Sequence, residues 1–481
     1  MALDEGAGLA DGLFTPPSVR PPDKPLSPLA VIAALRRNIV EAWDAELFDL
    51  PFRKGRWFGQ TFVNACDPAI MQAVFLDQVD RFEKSVAQQR VLRPIVGDGL
   101  LTVEGEAWRT QRRAAAPAFR HTALLRLLPT MAQVAEATVA RMGAVPDGEA
   151  VDVAPLMTRA ASDVVMKTMM AGDESFDVAA GGAMAAQYME GLGKPDLLDL
   201  FGVPDWIPRP WRARYRRIAS RMRAMAASAL EARRARGGLG GGDLLGDLIA
   251  ARDPETGRAL TDQELIDNIL TFIGAGYETT AVALTWALYL IASAPEVQAR
   301  LHEEAAQVLG DRPITGEDLA RLTFHDQVIR ETMRLYPPVA ALQRRAIADA
   351  DLGPVQVRSG DEVVCLSYVL HRSRRLWDRP ETFDPDRFSP ERSQDRHRFA
   401  FMPFGAGPRI CIGAQFATME MIAFLSTFVR RFTFEPSPGL APLPRMRLTL
   451  RPDRPMRLIV RPRPAVRGAP DVHDDAGSGS L

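Results

Sequence analysis

Between Asp262 and Ser293 the chain is apolar on nearly every side, and the stretch from Thr279 to Pro295 carries no charge. Thr261 and Glu264 stand three apart as a capping box, and Pro295 follows the end, so the pattern predicts one long helix. Asp267, Asn268 and Glu278 interrupt the apolar run, which favours a buried central helix over a membrane span. Ile412, Phe416, Met419 and Ala423 recur at helical spacing, predicting a second buried helix that Cys411 opens. Ile218, Met222 and Met225 mark one face of a third, with Arg217, Arg221 and Arg223 opposite. Near the C-terminus Met446, Leu448 and Leu450 alternate with polar residues, as do Met456, Leu458 and Val460. With Pro452 to Pro455 as the turn, these predict a hairpin. Another strand pair is expected around Arg358, Ser359 and Gly360. The pattern as a whole is mainly α with small β-sheets.

Length and charge narrow the picture. The 481 residues show no internal repeat and no long linker of biased composition. One domain is therefore expected over 26–463, between a flexible segment at 1–25 and a disordered tail at 464–481. Hydrophobic residues make up 47% and the formal net charge is -1, so the core is sizeable and no global charge draws nucleic acid. The first apolar run, Leu29 to Leu35, is too short to span a bilayer; with Ser27 and Pro28 before it, it reads as an amphipathic helix, and no transmembrane anchor is expected. Three cysteines make no disulfide framework, which suits a reducing cytoplasm.

The third of those cysteines stands in unusual company. Residues 404 to 413 read FGAGPRICIG, with Cys411 among Gly405, Gly407 and Gly413, and Arg409 two residues before it. Cys66 and Cys365 sit alone in apolar stretches and read as small buried hydrophobes. No histidine or cysteine cluster surrounds Cys411, which excludes zinc. Glycines let a flat ligand approach the backbone, a helix N-terminus favours a thiolate, and Arg409 can meet an anionic edge. Together they suit an iron porphyrin with a sulfur ligand.

The spacing F-x-x-G-x-R-x-C-x-G, from Phe404 to Gly413, resembles the haem-binding signature of the cytochrome P-450 haem-thiolate monooxygenases. Other motifs follow in that family's order. AGYETT, Ala275 to Thr280, resembles the segment where the long helix crosses the haem. Gly274 and Gly276 cost about 1 kcal/mol each against alanine there. Two explanations stand: a notch for dioxygen beside Ala275 and Gly276, or close packing of another helix. Glu278 and Thr279 would be the acid and alcohol that deliver protons. Glu331 and Arg334 before LYPP, with Arg387 in FDPDRF, resemble a structural Glu-Arg-Arg network. Many relatives carry P-E-R-F where this chain has FDPDRF, and the arginine is kept. Trp108 and Arg112 in WRTQR resemble the residues that meet the haem propionates, and Arg344 or the adjacent Arg345 resembles another propionate partner.

The resemblance implies the cytochrome P-450 fold, haem b held by Cys411, and insertion of one oxygen atom from O2 into a small lipophilic substrate. It resembles the soluble bacterial members. Only 70 residues follow Cys411 (481 − 411), too few for a fused flavin reductase. Electrons are expected from a ferredoxin or flavodoxin and its NAD(P)H-dependent reductase, docking beside Arg109, Arg113 and Arg120. A haem-thiolate isomerase or peroxygenase, or a non-catalytic haem sensor, would also keep Cys411. Val86 to Leu100, Met184 to Trp211 and Val339 to Leu342 are expected to line the substrate pocket. Trp206, Ile207 and Trp211 beside arginines in 204–217 suit peripheral contact with a membrane.

Overall fold

A helix that is apolar all round has to be surrounded by protein, and the helix Asp262–Ala292 is. It lies at the centre of a computed structural model that describes residues 8–10, 13–57, 59–170, 184, 187, 210–235, 237 and 242–463. The longer helices, in chain order, are α1 (Pro28–Arg37), α2 (Val86–Val96), α3 (Gly105–Ala115), α4 (Leu128–Gly143), α5 (Val153–Met169) and α6 (Pro210–Ala235). They continue with α7 (Leu244–Ala250), α8 (Asp262–Ala292), α9 (Pro295–Leu309), α10 (Thr323–Leu335) and α11 (Ala414–Arg431). Both halves of the expected capping box form at the start of α8. Helices α5, α6, α2, α10 and α11 pack around α8.

The polar residues that interrupt α8 join elements. Asp267 accepts from the Asp98 backbone N–H at 2.9 Å, from Gln263 and from Arg223. Asn268 accepts from the Leu100 N–H at 3.0 Å and donates to Gln111 Oε1 at 2.9 Å, which fastens the end of α2 and the middle of α3 to α8. Gly97 and Gly99 are required here, because a Cβ on them would lie 2.3 Å from Asp267 Oδ1 and 2.2 Å from Thr271 Oγ1. Among the described residues no single helix is long and apolar enough to cross a membrane.

Sheets are small. Strands β1 (Gly8–Ala10) and β2 (Leu13–Thr15) pair antiparallel. The largest sheet has the order β3 (Phe52–Trp57), β4 (Gln60–Ala65), β10 (Glu362–Cys365), β7 (Leu342–Ala346), β5 (Phe82–Lys84), parallel only between β4 and β10. The third is β11 (Phe432–Pro436), β14 (Arg457–Pro462) and β6 (Ala150–Asp152).

Several expectations are corrected by the pairing. The C-terminal hairpin is β12 (Pro444–Met446) with β13 (Leu450–Pro452), turning through Arg447 and Thr449 rather than Pro452 to Pro455. Met456, Leu458 and Val460 belong to the next segment, and β14 pairs with the distant β11 and β6. Beside Gly360, β9 (Gln356–Val357) pairs with β8 (Ala350–Asp351) while β10 pairs with β7, so the two flanking strands are not partners. Residues 13–25 of the segment expected to be flexible are tied down: the Phe383 N–H donates to Phe14 O, Tyr336 Oη to Pro17 O, and the Ala45 N–H to Pro22 O. The tail 464–481 lies outside the described residues, as do Trp206, Ile207 and most of Met184 to Trp211.

Candidate functional site

The cysteine loop is a tight bend between a short 3-10 turn and α11. Gly405 and Gly407 both have positive φ, 73° and 66°. A Cβ on Gly407 would stand 1.7 Å from Phe75 O, so only glycine allows the loop to lie on that backbone. The Cys411 N–H donates to Phe404 O at 2.9 Å and closes the bend. Helix α11 begins at Ala414, three residues later than expected, with Gly413 as its N-cap. Cys411 therefore precedes the helix, and the Gly413 N–H beside its sulfur is what favours negative charge there. Burial outweighs that N–H and the nearby Arg112 guanidinium and lifts the thiol above its ordinary range.

Exposure separates the three cysteines. Cys66 and Cys365 are fully buried, and burial pushes the Cys365 thiol up to about 12. Cys411 is crowded by protein on most sides yet open to solvent. It lines a recess.

Helix α8 is exposed at one stretch. Ala275 is exposed and Gly274, Gly276 and Thr279 are partly exposed in a helix whose neighbouring residues are buried. The two glycines divide the two explanations between them. A Cβ on Gly276 would lie 3.0 Å from Val165 of α5, whereas one on Gly274 would meet open space. Thr279 Oγ1 donates to Ala275 O at 2.9 Å. Glu278, one position on, points elsewhere: its Oε1 accepts from Thr449 Oγ1 and from Arg451 Nε at 2.9 Å, on the C-terminal hairpin. Its Oε2 is buried without a partner. The acid and alcohol are neighbours in sequence and do not bond to each other in the structure.

A cationic cluster forms the third part. Arg344 is buried and donates to Gln343 O, while Arg345 on the same strand faces out, as strand alternation requires. Burial lowers the pKa of Arg344 and of Arg112. Arg409 lies over the Trp108 ring at 4.2 Å and donates through Nη2 to Glu104 Oε2, while its buried Nη1 has no partner. Two residues here escaped the sequence reading. Lys84 Nζ donates to Leu100 O and Val103 O and lies 3.5 Å from Glu104 Oε1. Burial lowers its pKa to about 7, with Glu104 opposing. A lone lysine and a lone glutamate twenty positions apart carry no motif.

Glu331, Arg334 and Arg387 do come together, all buried. Arg334 donates to both Glu331 oxygens at 2.7 and 2.8 Å, and Arg387 Nε to Oε1 at 3.3 Å. The remaining N–H groups of Arg334 take the carbonyls of His371, Pro380 and Thr382. His371, also missed by the sequence reading, carries the network towards the cysteine loop: its Nε2 accepts from the Met402 N–H at 2.9 Å. Burial holds its pKa down to about 3, so the ring is neutral.

The expected free basic face on α3 is corrected. Arg109 pairs with Asp80 and Glu106, and Arg113 with Asp253 and Glu255. Of the proposed patch, Arg120 is exposed.

Comparison with known proteins identifies the family and the fold. The family model for cytochrome P-450 covers residues 51–460. Cyclooctat-9-en-7-ol 5-monooxygenase of Streptomyces melanosporofaciens is 34% identical over 376 residues, 78% of this chain and 80% of the relative. Pentalenene oxygenase of Streptomyces avermitilis is 32% identical over 391 residues, 79% of this chain and 83% of the relative. The solved cytochrome P-450DA heme domain superposes with a TM-score of 0.79 at 27% identity, covering 93% of this chain and 98% of the other. The retinoic acid bound cyanobacterial CYP120A1 gives 0.77 at 26%, covering 86% and 92%. The chain belongs to the cytochrome P-450 family and is a cytochrome P-450 monooxygenase.

Proposed function

We propose that the chain holds haem b with Cys411 as the iron's thiolate ligand, and uses it to insert one atom of O2 into a lipophilic small molecule. The observation that carries the reading is the unpartnered Nη1 of Arg409, a buried cationic donor two residues from the open sulfur of Cys411. A buried donor without an acceptor is costly, and a carboxylate of the cofactor would satisfy it. Gly274 and Ala275 leave room over the opposite face. These residues fit the group. When bound, haem with a thiolate ligand supplies the activation of dioxygen.

The chain's residues do the rest. Trp108, Arg112, Arg344 and Arg409 hold the acidic edge, and Phe404, Gly405 and Gly413 shape the cysteine loop. Ala275, with Gly274 beside it, would form the open wall on α8, while Gly276 would let α8 pack close to Val165 of α5. Thr279 would present a hydroxyl on the open side of α8, where it now donates to Ala275 O, and Glu278, anchored on Thr449 and Arg451, would hold a proton at its unpartnered Oε2. Leu342, whose Cδ1 would lie 3.5 Å from a Cβ on Gly405, brings the 339–342 segment to the loop. Cyclooctat-9-en-7-ol and pentalenene, in the names of two relatives, are an alkenol and an alkene, which supports an uncharged, hydrocarbon-rich substrate. Electrons come from a separate ferredoxin or flavodoxin and its NAD(P)H-dependent reductase, in the cytoplasm.

The test is turnover of a panel of alkenes, alkenols and fatty acids with isotopically labelled dioxygen, a ferredoxin and its reductase. Label in a product that depends on NAD(P)H supports the reading. Product formed only with peroxide, or without label, overturns it.

A further inference from the structure

Glu104 sits where a carboxylate has a local task and does not perform it. It is the N-cap of α3, a position where Ser, Thr, Asp or Asn ordinarily accepts from the first free N–H groups of the helix. No such bond is made. The carboxylate turns away instead: Oε2 accepts from Arg409 Nη2, and Oε1 accepts from the Lys84 backbone N–H at 3.0 Å with the Lys84 ammonium 3.5 Å away. Three segments far apart in sequence, the end of β5, the start of α3 and the cysteine loop, meet on this one side chain. Arg409 is then held over Trp108 with Nη1 left open, and the Glu104 side chain is only 15% exposed.

An anion beside the place where an anionic cofactor edge binds is unfavourable on charge alone. The bonds it makes supply a compensating role. We propose that Glu104 is a positioning residue for haem retention. It fixes Arg409 and Lys84 before the cofactor arrives, so that Arg409 Nη1 is already aimed and little ordering remains to be done on binding. Haem binding by this pocket is the reading on which the inference rests.

Charge and position predict opposite signs, which makes the idea testable. Holoprotein is mixed with excess haem-free globin and haem transfer is timed for wild type, Glu104→Ala and Glu104→Gln. Loss from Glu104→Ala should be roughly tenfold faster, the effect of one lost charge-assisted hydrogen bond. Glu104→Gln keeps one acceptor oxygen, which can serve Arg409 or the Lys84 N–H but not both, so its rate of loss should fall between the two, roughly threefold faster than wild type. Removing the negative charge should also raise the midpoint potential of both variants, a shift that a purely packing role would not produce. Slower haem loss from Glu104→Ala overturns the proposal in favour of simple repulsion, and an unchanged rate overturns it outright. Thermal unfolding of the haem-free variants shows whether the fold itself has changed. Wild type that never acquires the absorption of a thiolate-ligated iron would instead contradict the haem reading on which this rests.

Discussion

The two sides of the proposed cofactor site are built on opposite plans. On the cysteine side the supporting groups are buried and bonded: Glu331, Arg334 and Arg387 engage one another, and Arg334 spends its other N–H groups on three carbonyls. Gly407 lies against Phe75 with no spare volume. On the α8 side the same helix that is sealed elsewhere is left open at Gly274, Ala275 and Thr279. On the proposed reading, one side would fix a ligand atom in place and the other would keep room for reactants and movable protons. Substitutions on the cysteine side should therefore damage folding and cofactor retention, and those on the α8 side chemistry.

The largest effect is expected from Glu331→Ala, which leaves two arginines buried without their carboxylate. Breaking a buried pair in this way costs about 3–5 kcal/mol. Haem per chain and the urea midpoint should both fall sharply, and a variant with normal values for both would erase the contrast. Next comes the glycine pair. Gly407→Ala must displace the Phe75 backbone at positive φ, at a cost of about 2 kcal/mol or more by steric overlap and strain, and should cut haem content. Gly274→Ala meets open space within a helix and should raise stability by up to about 1 kcal/mol while slowing turnover. If the two alanines behave alike in thermal unfolding, the division fails.

Thr279→Ala sharpens the comparison from the reactive side. Its hydroxyl bonds only to the Ala275 carbonyl among the described contacts, so stability should change by less than about 1 kcal/mol. Product formed per NAD(P)H should drop several-fold with more peroxide released; unchanged coupling would take Thr279 out of the mechanism. The smallest effect is expected outside both sides. Arg109 already answers to Asp80 and Glu106 on the surface, so Arg109→Ala should alter stability by about 0–1 kcal/mol and hardly slow reduction by the electron donor. Strong slowing in stopped-flow mixing would restore the basic-face idea.

Legibility in the sequence followed locality. The cysteine loop could be read because its glycines, arginine and thiol lie within ten residues, and Glu331 and Arg334 because one helical turn joins them. The capping box of α8 was legible for the same reason. The Lys84, Glu104 and Arg409 cluster was not, since a fold has to bring together positions hundreds of residues apart. Strand alternation misled at Met446, Leu448 and Leu450: the apolar period runs straight through a turn, where the Arg447 N–H donates to Thr449 O. For β14 the alternation was right and the partner wrong, because period-two patterning says which face is buried and nothing about which strand lies alongside. Arg113 looked free because its acids, Asp253 and Glu255, come from another segment, and Arg109 partly so, since Asp80 is distant although Glu106 lies one turn away. Glu278 was recognisable as an acid beside Thr279, but its attachment to Thr449 and Arg451 depends on where the hairpin docks.

The central claim is that Cys411 alone supplies the iron's thiolate. The direct measurement is the absorption spectrum of the reduced, carbon monoxide-treated protein for wild type, Cys411→Ser, Cys66→Ala and Cys365→Ala. Wild type and the two alanine variants should give the long-wavelength Soret band of a thiolate ligand, and Cys411→Ser should lack it. A band that persists in Cys411→Ser, or that disappears in either buried-cysteine variant while the fold is intact, would contradict the account.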